Sequence, residues 1–198
     1  MKKAVLFVSV LGVFLILHSC SNERSSKENV VDNSKYYLLG NEISAAAQGA
    51  LIQNLSKAIE EGGPSYAVGF CNLKAMQVID SISLLNTCVV SRITDLNRNQ
   101  GNKISNEGDK KIWDYYKGMN REFPFSDTIV ENTDNIVYYK PIKIGMPTCL
   151  KCHGTPGKDI DPATLALIDS LYPLDLARNY MSGDLRGLWK IEFLKSIQ

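Results

Sequence analysis

The sequence predicts an α+β domain in which helices flank a central, mainly antiparallel sheet. In the first half of the chain, apolar residues recur every three or four positions, which is typical of amphipathic helices. In the second half, short runs rich in β-branched and aromatic residues alternate with turn residues, which indicates strands. Long helices followed by neighbouring strands favour an α+β arrangement.

Two helices are expected first. A long N-terminal helix is predicted over residues 34–61, where apolar side chains share one face. The "GGP" at residues 62–64 ends this helix, because glycine suits a helix terminus and proline cannot continue the helix. A second helix is predicted over residues 65–83, with Val68 and Cys71 on its apolar stripe.

The rest of the chain alternates loops, strands and two further helices, with no internal repeat and no second domain boundary. The predicted elements are a strand at 87–93, a loop at 94–105, a helix from Asn106 to about Arg121, a hairpin of strands at 126–132 and 135–144, a helix from Asp161 to Tyr172 and a last strand at 186–195.

Residues 1–19 are typical of an export signal. Two lysines precede an apolar run at residues 4–17, which is shorter than the about 20 residues that a membrane-spanning helix needs. The "LHSC" that ends at Cys20 resembles the lipobox of bacterial lipoproteins, so we expect Cys20 to carry a lipid; the alternative is a plain secretory signal. Residues 20–33 are predicted to be a flexible tether and residues 34–198 the domain. The expected location is the cell envelope, facing the periplasm or the exterior, with the lipid as the only membrane anchor.

The charge balance of the mature chain excludes nucleic acid as a natural partner. Loss of Lys2 and Lys3 with the signal changes the formal net charge from +1 to −1, which leaves no field that attracts polyanions. The same cleavage removes His18, so His153 is the single histidine of the mature chain.

One segment concentrates the rare residues of the chain. "MPTCLKCHG", residues 146–154, holds Cys149, Cys152 and His153, although the chain has only five cysteines and two histidines. In a C-x-x-C-H motif, each cysteine sulfur bonds to one vinyl group of haem and the histidine binds the iron from one face. The motif and the export signal together predict one covalently attached haem c as the cofactor.

Two other kinds of site fit these residues less well. A structural zinc site needs four ligands, and the adjacent Cys152 and His153 cannot easily point at one tetrahedral ion. A thioredoxin-like dithiol places its first cysteine at a helix N-terminus, whereas the flanks of this motif carry proline and glycine rather than a following helix. A dithiol would also leave His153 without a role.

The residues alone leave the other face of the iron open. A second histidine ligand is excluded within the mature chain, so an open position, a methionine or a cysteine remains. Cys71 and Cys88 are alternatively small buried residues or a disulfide pair. The methionine candidates are Met76, Met119, Met146 and Met181, of which Met146 is too close to Cys149 to cross the porphyrin.

Several segments, in order, resemble the family of c-type haem proteins with a PAS-like fold, which occur as exported proteins and as sensor input domains. The segments are "GGPSYAVGFCN" (62–72), "RITDLNRNQGN" (92–102, with Gln100 where proline is usual), "YYKPIKIGMPTCLKCHG" (138–154) and "YPLDLARNYMSGDLRGLWKIEF" (172–193). The resemblance covers most of the mature chain. It implies a PAS-like fold and implies Cys71, which aligns with the cysteine of the family's C-N pair, as the iron ligand opposite His153.

Four polar residues of the second segment are also candidates for cofactor binding: Arg92, Arg98, Asn99 and Asn102. We expect them to hold their loop and to meet haem propionates, because guanidinium groups pair well with carboxylates. The alternative is that these residues stabilise their own loop and do not contact the cofactor.

These expectations lead to two candidate functions. A thiolate ligand stabilises ferric iron, and its release on reduction would open a position for a small gas ligand such as carbon monoxide or nitric oxide. We therefore expect a redox or gas sensor, with a low-potential electron-transfer protein as the alternative; either role needs a redox or signalling protein partner. No enzymatic activity is expected, because no distal histidine is present to handle protons in a peroxidase-like reaction.

Overall fold

A computed structural model describes residues 33–119 and 124–195. These residues form four α-helices, a short 3-10 helix and a four-stranded antiparallel sheet, so the α+β prediction is confirmed. The predicted signal at 1–19, the lipidation site Cys20 and all but the last residue of the tether lie outside the described residues. Within the two described ranges, no helix is both long and apolar enough to cross a bilayer.

The first element is a helical hairpin. Helix α1 spans Asn33–Asn86, but Gly62 and Gly63 depart from helical geometry. Ile43 of the first arm shares a core cluster with Ile79 of the second arm, although a continuous helix would separate them by about 50 Å. The chain therefore reverses at the "GGP" segment, as predicted, and the second arm continues three residues beyond the predicted end at residue 83.

The sheet has the strand order β1-β4-β3-β2, and every neighbouring pair is antiparallel. The strands are β1 (Val89–Ile93), β2 (Thr128–Glu131), β3 (Asn135–Lys143) and β4 (Leu185–Leu194). The predicted hairpin is confirmed as the β2–β3 pair. Strand β1 begins two residues later than predicted, because Thr87 has a positive φ of 50° in the turn that follows α1.

Helices cover both faces of the sheet. On one face, Trp189 and Ile191 of β4 pack against the hairpin α1. On the other face, Leu188 packs against Trp113 and Tyr116 of helix α2 (Glu107–Lys117). Successive residues of β4 therefore face opposite sides of the sheet.

Helix α2 ends earlier than predicted. The prediction extended it to about Arg121, but the helix ends at Lys117, and the N–H of Gly118 donates to the carbonyl of Asp114. Residues 120–123 lie outside the described part of the chain.

Two shorter helices surround the C-x-x-C-H segment. Helix α3 (Pro147–His153) contains the motif itself, and this helix was not among the predicted elements. Helix α4 (Pro162–Leu171) was predicted from its N-terminal signals: Asp161 accepts a hydrogen bond from the N–H of Thr164, and Pro162 occupies the first turn.

Candidate functional site

Helix α3 presents the two motif cysteines. Cys149 and Cys152 are three residues apart, so both side chains lie on one side of the helix, one turn apart. Gly154 closes the helix, and its N–H donates to the carbonyl of Leu150. A Cβ atom at this position would lie only 2.7 Å from that carbonyl oxygen, so the glycine of "CHG" is sterically required.

His153 is held by the backbone of the C-terminal loop. Its Nδ1 lies 2.9 Å from the carbonyl oxygen of Ala177, and its own carbonyl accepts from the N–H of Tyr180 at 3.0 Å. Since Nδ1 donates to a carbonyl, the lone pair is on Nε2, as in a metal-binding histidine. Burial, together with the positive charges of Arg186 and Arg98, lowers the pKa of His153 well below its usual value, which keeps the ring neutral.

Arg98 joins three segments of the site. Its guanidinium contacts the buried carboxylate of Asp175 (Nε to Oδ1, 3.0 Å), the carbonyl of Cys152 at 2.6 Å and the carbonyl of Ala177 at 3.2 Å. The Ala177 carbonyl therefore accepts from both Arg98 and His153. Arg98 fixes the end of α3 and the loop that orients the histidine ring, which supports the stabilising alternative for this residue.

Asn99 and Asn102 also stabilise their own loop. The side chain of Asn99 accepts from the N–H of Gly101 at 2.9 Å and caps the 3-10 helix Gln100–Asn102. The carbonyl of Asn102 accepts from the N–H of Thr94 at 3.0 Å, which closes the loop on itself. Gln100 stands where the resembling family usually has proline, and the loop still closes: the N–H of Lys103 donates to the carbonyl of Gln100.

One cavity brings all the predicted site residues of the domain together. It has a volume of about 260 Å³, far more than the about 10–15 Å³ that one water molecule needs. It lies between the two arms of α1, strand β1 and helix α3, and most of its wall is apolar. The predicted residues that line it are Cys71, Arg92, Arg98, Asn99, Asn102, Cys149, Cys152 and His153.

The structure also sorts the candidates for the second iron ligand. Cys71 and Met76, both on the second arm of α1, line the cavity, as does Met146. By contrast, Met119 packs in the core beside α2, and Met181 is exposed.

The two cysteines outside the motif lie in different surroundings. Cys88 packs against the core between α1 and the sheet, whereas Cys71 faces the cavity. Both are free thiols, so the disulfide that the sequence allowed is absent. Burial raises the pKa of Cys71, and the charges of Arg92 and Arg98 act in the opposite direction.

The geometry does not favour the zinc or dithiol alternatives. Within the described ranges, no three His, Cys, Asp or Glu side chains are grouped closely enough to hold a metal ion. The cysteines do lie in a helix, contrary to the sequence argument against a dithiol. However, a dithiol would leave His153 without a role, although its Nδ1 is fixed by the carbonyl of Ala177.

Sequence reasoning missed several residues that shape the site. Arg186 and Lys143 line the cavity, and Asp175 holds Arg98. Arg186 lies in the last of the four segments that carry the family resemblance, residues 172–193, but that resemblance assigned it no role. No local pattern marks Asp175, because its role depends on an arginine 77 residues earlier in the chain.

Comparison with known proteins identifies the family. Residues 21–193 match the family described as "Tll0287-like: Tll0287". The chain belongs to this family. The Tll0287-like chain is also similar to a solved structure, the crystal structure of the cyanobacterial heme-protein Tll0287, with a TM-score of 0.60 and 22% sequence identity. The alignment covers 82% of this chain and 98% of the solved one, and at this identity it establishes the fold. No curated protein matches the chain.

Proposed function

We propose that this Tll0287-like protein is an exported, single-haem c-type protein that acts as a redox or gas sensor. The observation that carries the proposal is the shared cavity, in which the C-x-x-C-H helix and Cys71 line an apolar space together with arginines. An apolar wall suits a porphyrin ring, and the donor set of two thiols, one neutral imidazole and a further thiol suits haem c. Membership of a family whose solved relative is a heme-protein supports the same ligand.

Each site residue has a distinct role in this proposal. Cys149 and Cys152 form the thioether bonds, and His153 binds the iron through Nε2 while Ala177 fixes its ring. Cys71, which lines the same cavity, would be the second protein ligand of the iron. The bound haem supplies one-electron redox chemistry and an axial position at which ligands can exchange.

The arrangement of these residues over two elements favours sensing. His153 and both attachment cysteines lie on α3, whereas Cys71 lies on the separate hairpin α1. Cys71 can therefore leave the iron without loosening the covalent attachment. With haem bound, one-electron reduction by a redox protein partner would be the signal, and Cys71 would be the residue able to exchange, as a protonated thiol, for a small gas ligand.

Low-potential electron transfer is the second candidate. Candidate iron ligands from both α3 and the hairpin α1, His153 and Cys71, line the same cavity. If both stayed bound to the iron, no position would be open to small molecules, as suits electron transfer. In either role the protein is not an enzyme. The PAS-like fold, the lipid on Cys20 and the location in the cell envelope belong to the same proposal and rest on the sequence patterns given above.

Expression with and without a c-type haem maturation system tests the proposal. We expect the matured protein to gain the mass of one haem and to keep its colour after denaturation, because thioether bonds survive unfolding. Replacement of both Cys149 and Cys152 by alanine should abolish the added mass, whereas the control Cys88→Ala should retain it. A colourless wild-type protein of unchanged mass would refute the proposal.

A further inference from the structure

The charge of the cavity wall is unbalanced. Three arginines and one lysine line the cavity (Arg92, Arg98, Arg186 and Lys143), and no aspartate or glutamate does. Asp175 neutralises Arg98 through a buried ion pair. Among the described residues, no carboxylate lies within 4 Å of the guanidinium groups of Arg92 or Arg186.

Arg186 has an unused donor in this wall. Its Nη1 donates to the carbonyl of Leu96 at 3.2 Å, and its guanidinium lies 5.4 Å from the centre of the Tyr180 ring. Its Nε is enclosed by protein and has no hydrogen-bond partner. Since Arg186 also lines the cavity and has no carboxylate partner among the described residues, its charge favours an anionic ligand there.

Arg92 is in a similar position on the neighbouring strand. Its guanidinium lies 5.8 Å from the Trp189 ring, and it forms no hydrogen bond with a described residue. Burial and the charge of Arg186 lower the pKa of Arg92, and burial and the charge of Arg98 help to lower the pKa of Arg186. Two guanidinium groups that line one cavity, neither with a carboxylate partner among the described residues, favour an anionic ligand in that cavity.

We infer that Arg92 and Arg186 together anchor the carboxylate edge of the porphyrin, while Arg98, Asn99 and Asn102 serve the loop. This inference rests on the proposed function, in that it takes the cavity ligand to be haem. A porphyrin with two propionates matches the wall, because its ring is apolar and its negative charge is confined to one edge. The assignment adds Arg186, which sequence reasoning did not single out. It gives Arg98 a mainly structural role, because Nε and Nη2 of Arg98 hold Asp175 and the carbonyls of Cys152 and Ala177.

The test compares two probes on the full chain prepared without haem. Haemin carries both carboxylates, and haemin dimethyl ester has neither charge. We expect the wild-type chain to bind haemin at least about tenfold more tightly than the ester in an absorbance titration, since one hydrogen bond to a charged group is worth about that factor. Arg186→Gln and Arg92→Gln should each weaken haemin binding by about tenfold and leave ester binding within about twofold.

Two comparisons make the result specific. Lys140→Gln removes a cation that pairs with Asp127 and Asn41 outside the cavity, and it should change neither affinity. Equal affinity of the wild-type chain for the two probes would overturn the anchor, even if no variant can be purified. Binding of both probes with no effect of either arginine substitution would overturn it as well. If the wild-type chain binds neither probe, the proposed haem function itself fails.

Discussion

Cys71 and Met76 both line the cavity from the second arm of α1. Either sulfur could therefore be the second protein ligand of the iron. Burial raises the pKa of Cys71, and the charges of Arg92 and Arg98, which line the same cavity, partly offset this rise. Met76 is neutral and 41% exposed. A thiolate stabilises ferric iron, whereas a thioether raises the reduction potential.

The first prediction separates these two sulfurs. Cys71→Ser in the matured protein should change the ferric absorption spectrum and raise the midpoint potential, because it removes the electron-donating thiolate. The matched substitution Met76→Leu should leave both unchanged. Spectroelectrochemical titration of the three proteins measures this. An unaltered ferric spectrum in Cys71→Ser would remove Cys71 from the iron.

A second prediction concerns the carboxylate that holds Arg98. Burial alone would raise the pKa of Asp175, but hydrogen bonds and charge from Arg98, with a further bond from Arg178, hold that pKa below its usual value. A carboxylate with a lowered pKa stabilises the fold above its unfolded-state pKa of about 3.9, and this stabilisation is lost as the pH falls through the folded-state value. Asp175→Asn should therefore destabilise the protein at pH 7, by about 3 kcal/mol, and the difference from wild type should shrink below about pH 4.

Urea unfolding at several pH values measures that difference. Asp169→Asn is the matched control, because Asp169 also pairs with Arg178 but is largely exposed, so its loss should cost less than about 1 kcal/mol. A gap between wild type and Asp175→Asn that stays constant from pH 7 to pH 3 would contradict the assignment.

At the scale of elements, the hairpin α1 places Cys71 opposite α3. The reversal depends on Gly63, which has φ +75° and ψ −174°, a conformation that only glycine adopts readily. Gly49, in contrast, lies within the helix of the first arm with open space where a Cβ would be.

The third prediction uses these two glycines as a matched pair. Gly63→Ala should lower the free energy of unfolding by about 1–3 kcal/mol, because alanine is strained at that conformation. Gly49→Ala should raise it by about 0.5–1 kcal/mol, because alanine loses less backbone entropy in a helix. Chemical denaturation of both variants measures the two changes, and equal effects would contradict the hairpin geometry.

The elements also show where sequence reasoning succeeded. Local signals marked the "GGP" break, the Asp161 cap and the β2–β3 hairpin, because each is determined within a few residues. Helix α3 was missed, since seven residues are too few to display a periodic pattern. The clasp of Arg98 with Asp175 and the place of Arg186 in the cavity wall depend on contacts between distant segments, which no spacing rule contains.

At the scale of the whole molecule, the cavity lies between elements that are held in place by different contacts. The sheet and the C-terminal loop fix α3 through Arg98 and the backbone bonds of His153 and Gly154. The second arm of α1, which carries Cys71, packs through Ile79 against the first arm and the sheet, and through Val68 against Ile168 of α4. A structural change at Cys71 would therefore affect the sheet and α4 as well as the hairpin.

The last prediction separates sensing from electron transfer. If Cys71 leaves on reduction, the reduced protein should bind carbon monoxide, seen as a new Soret band, and the oxidised protein should not. Cys71→Ser should bind carbon monoxide at a similar rate in the reduced state, because a Cys71 that leaves on reduction no longer competes for the site. Stopped-flow mixing of reduced protein with carbon monoxide measures both rates. A reduced wild-type protein that stays six-coordinate and excludes carbon monoxide would instead favour electron transfer, because its two ligands would then be permanent.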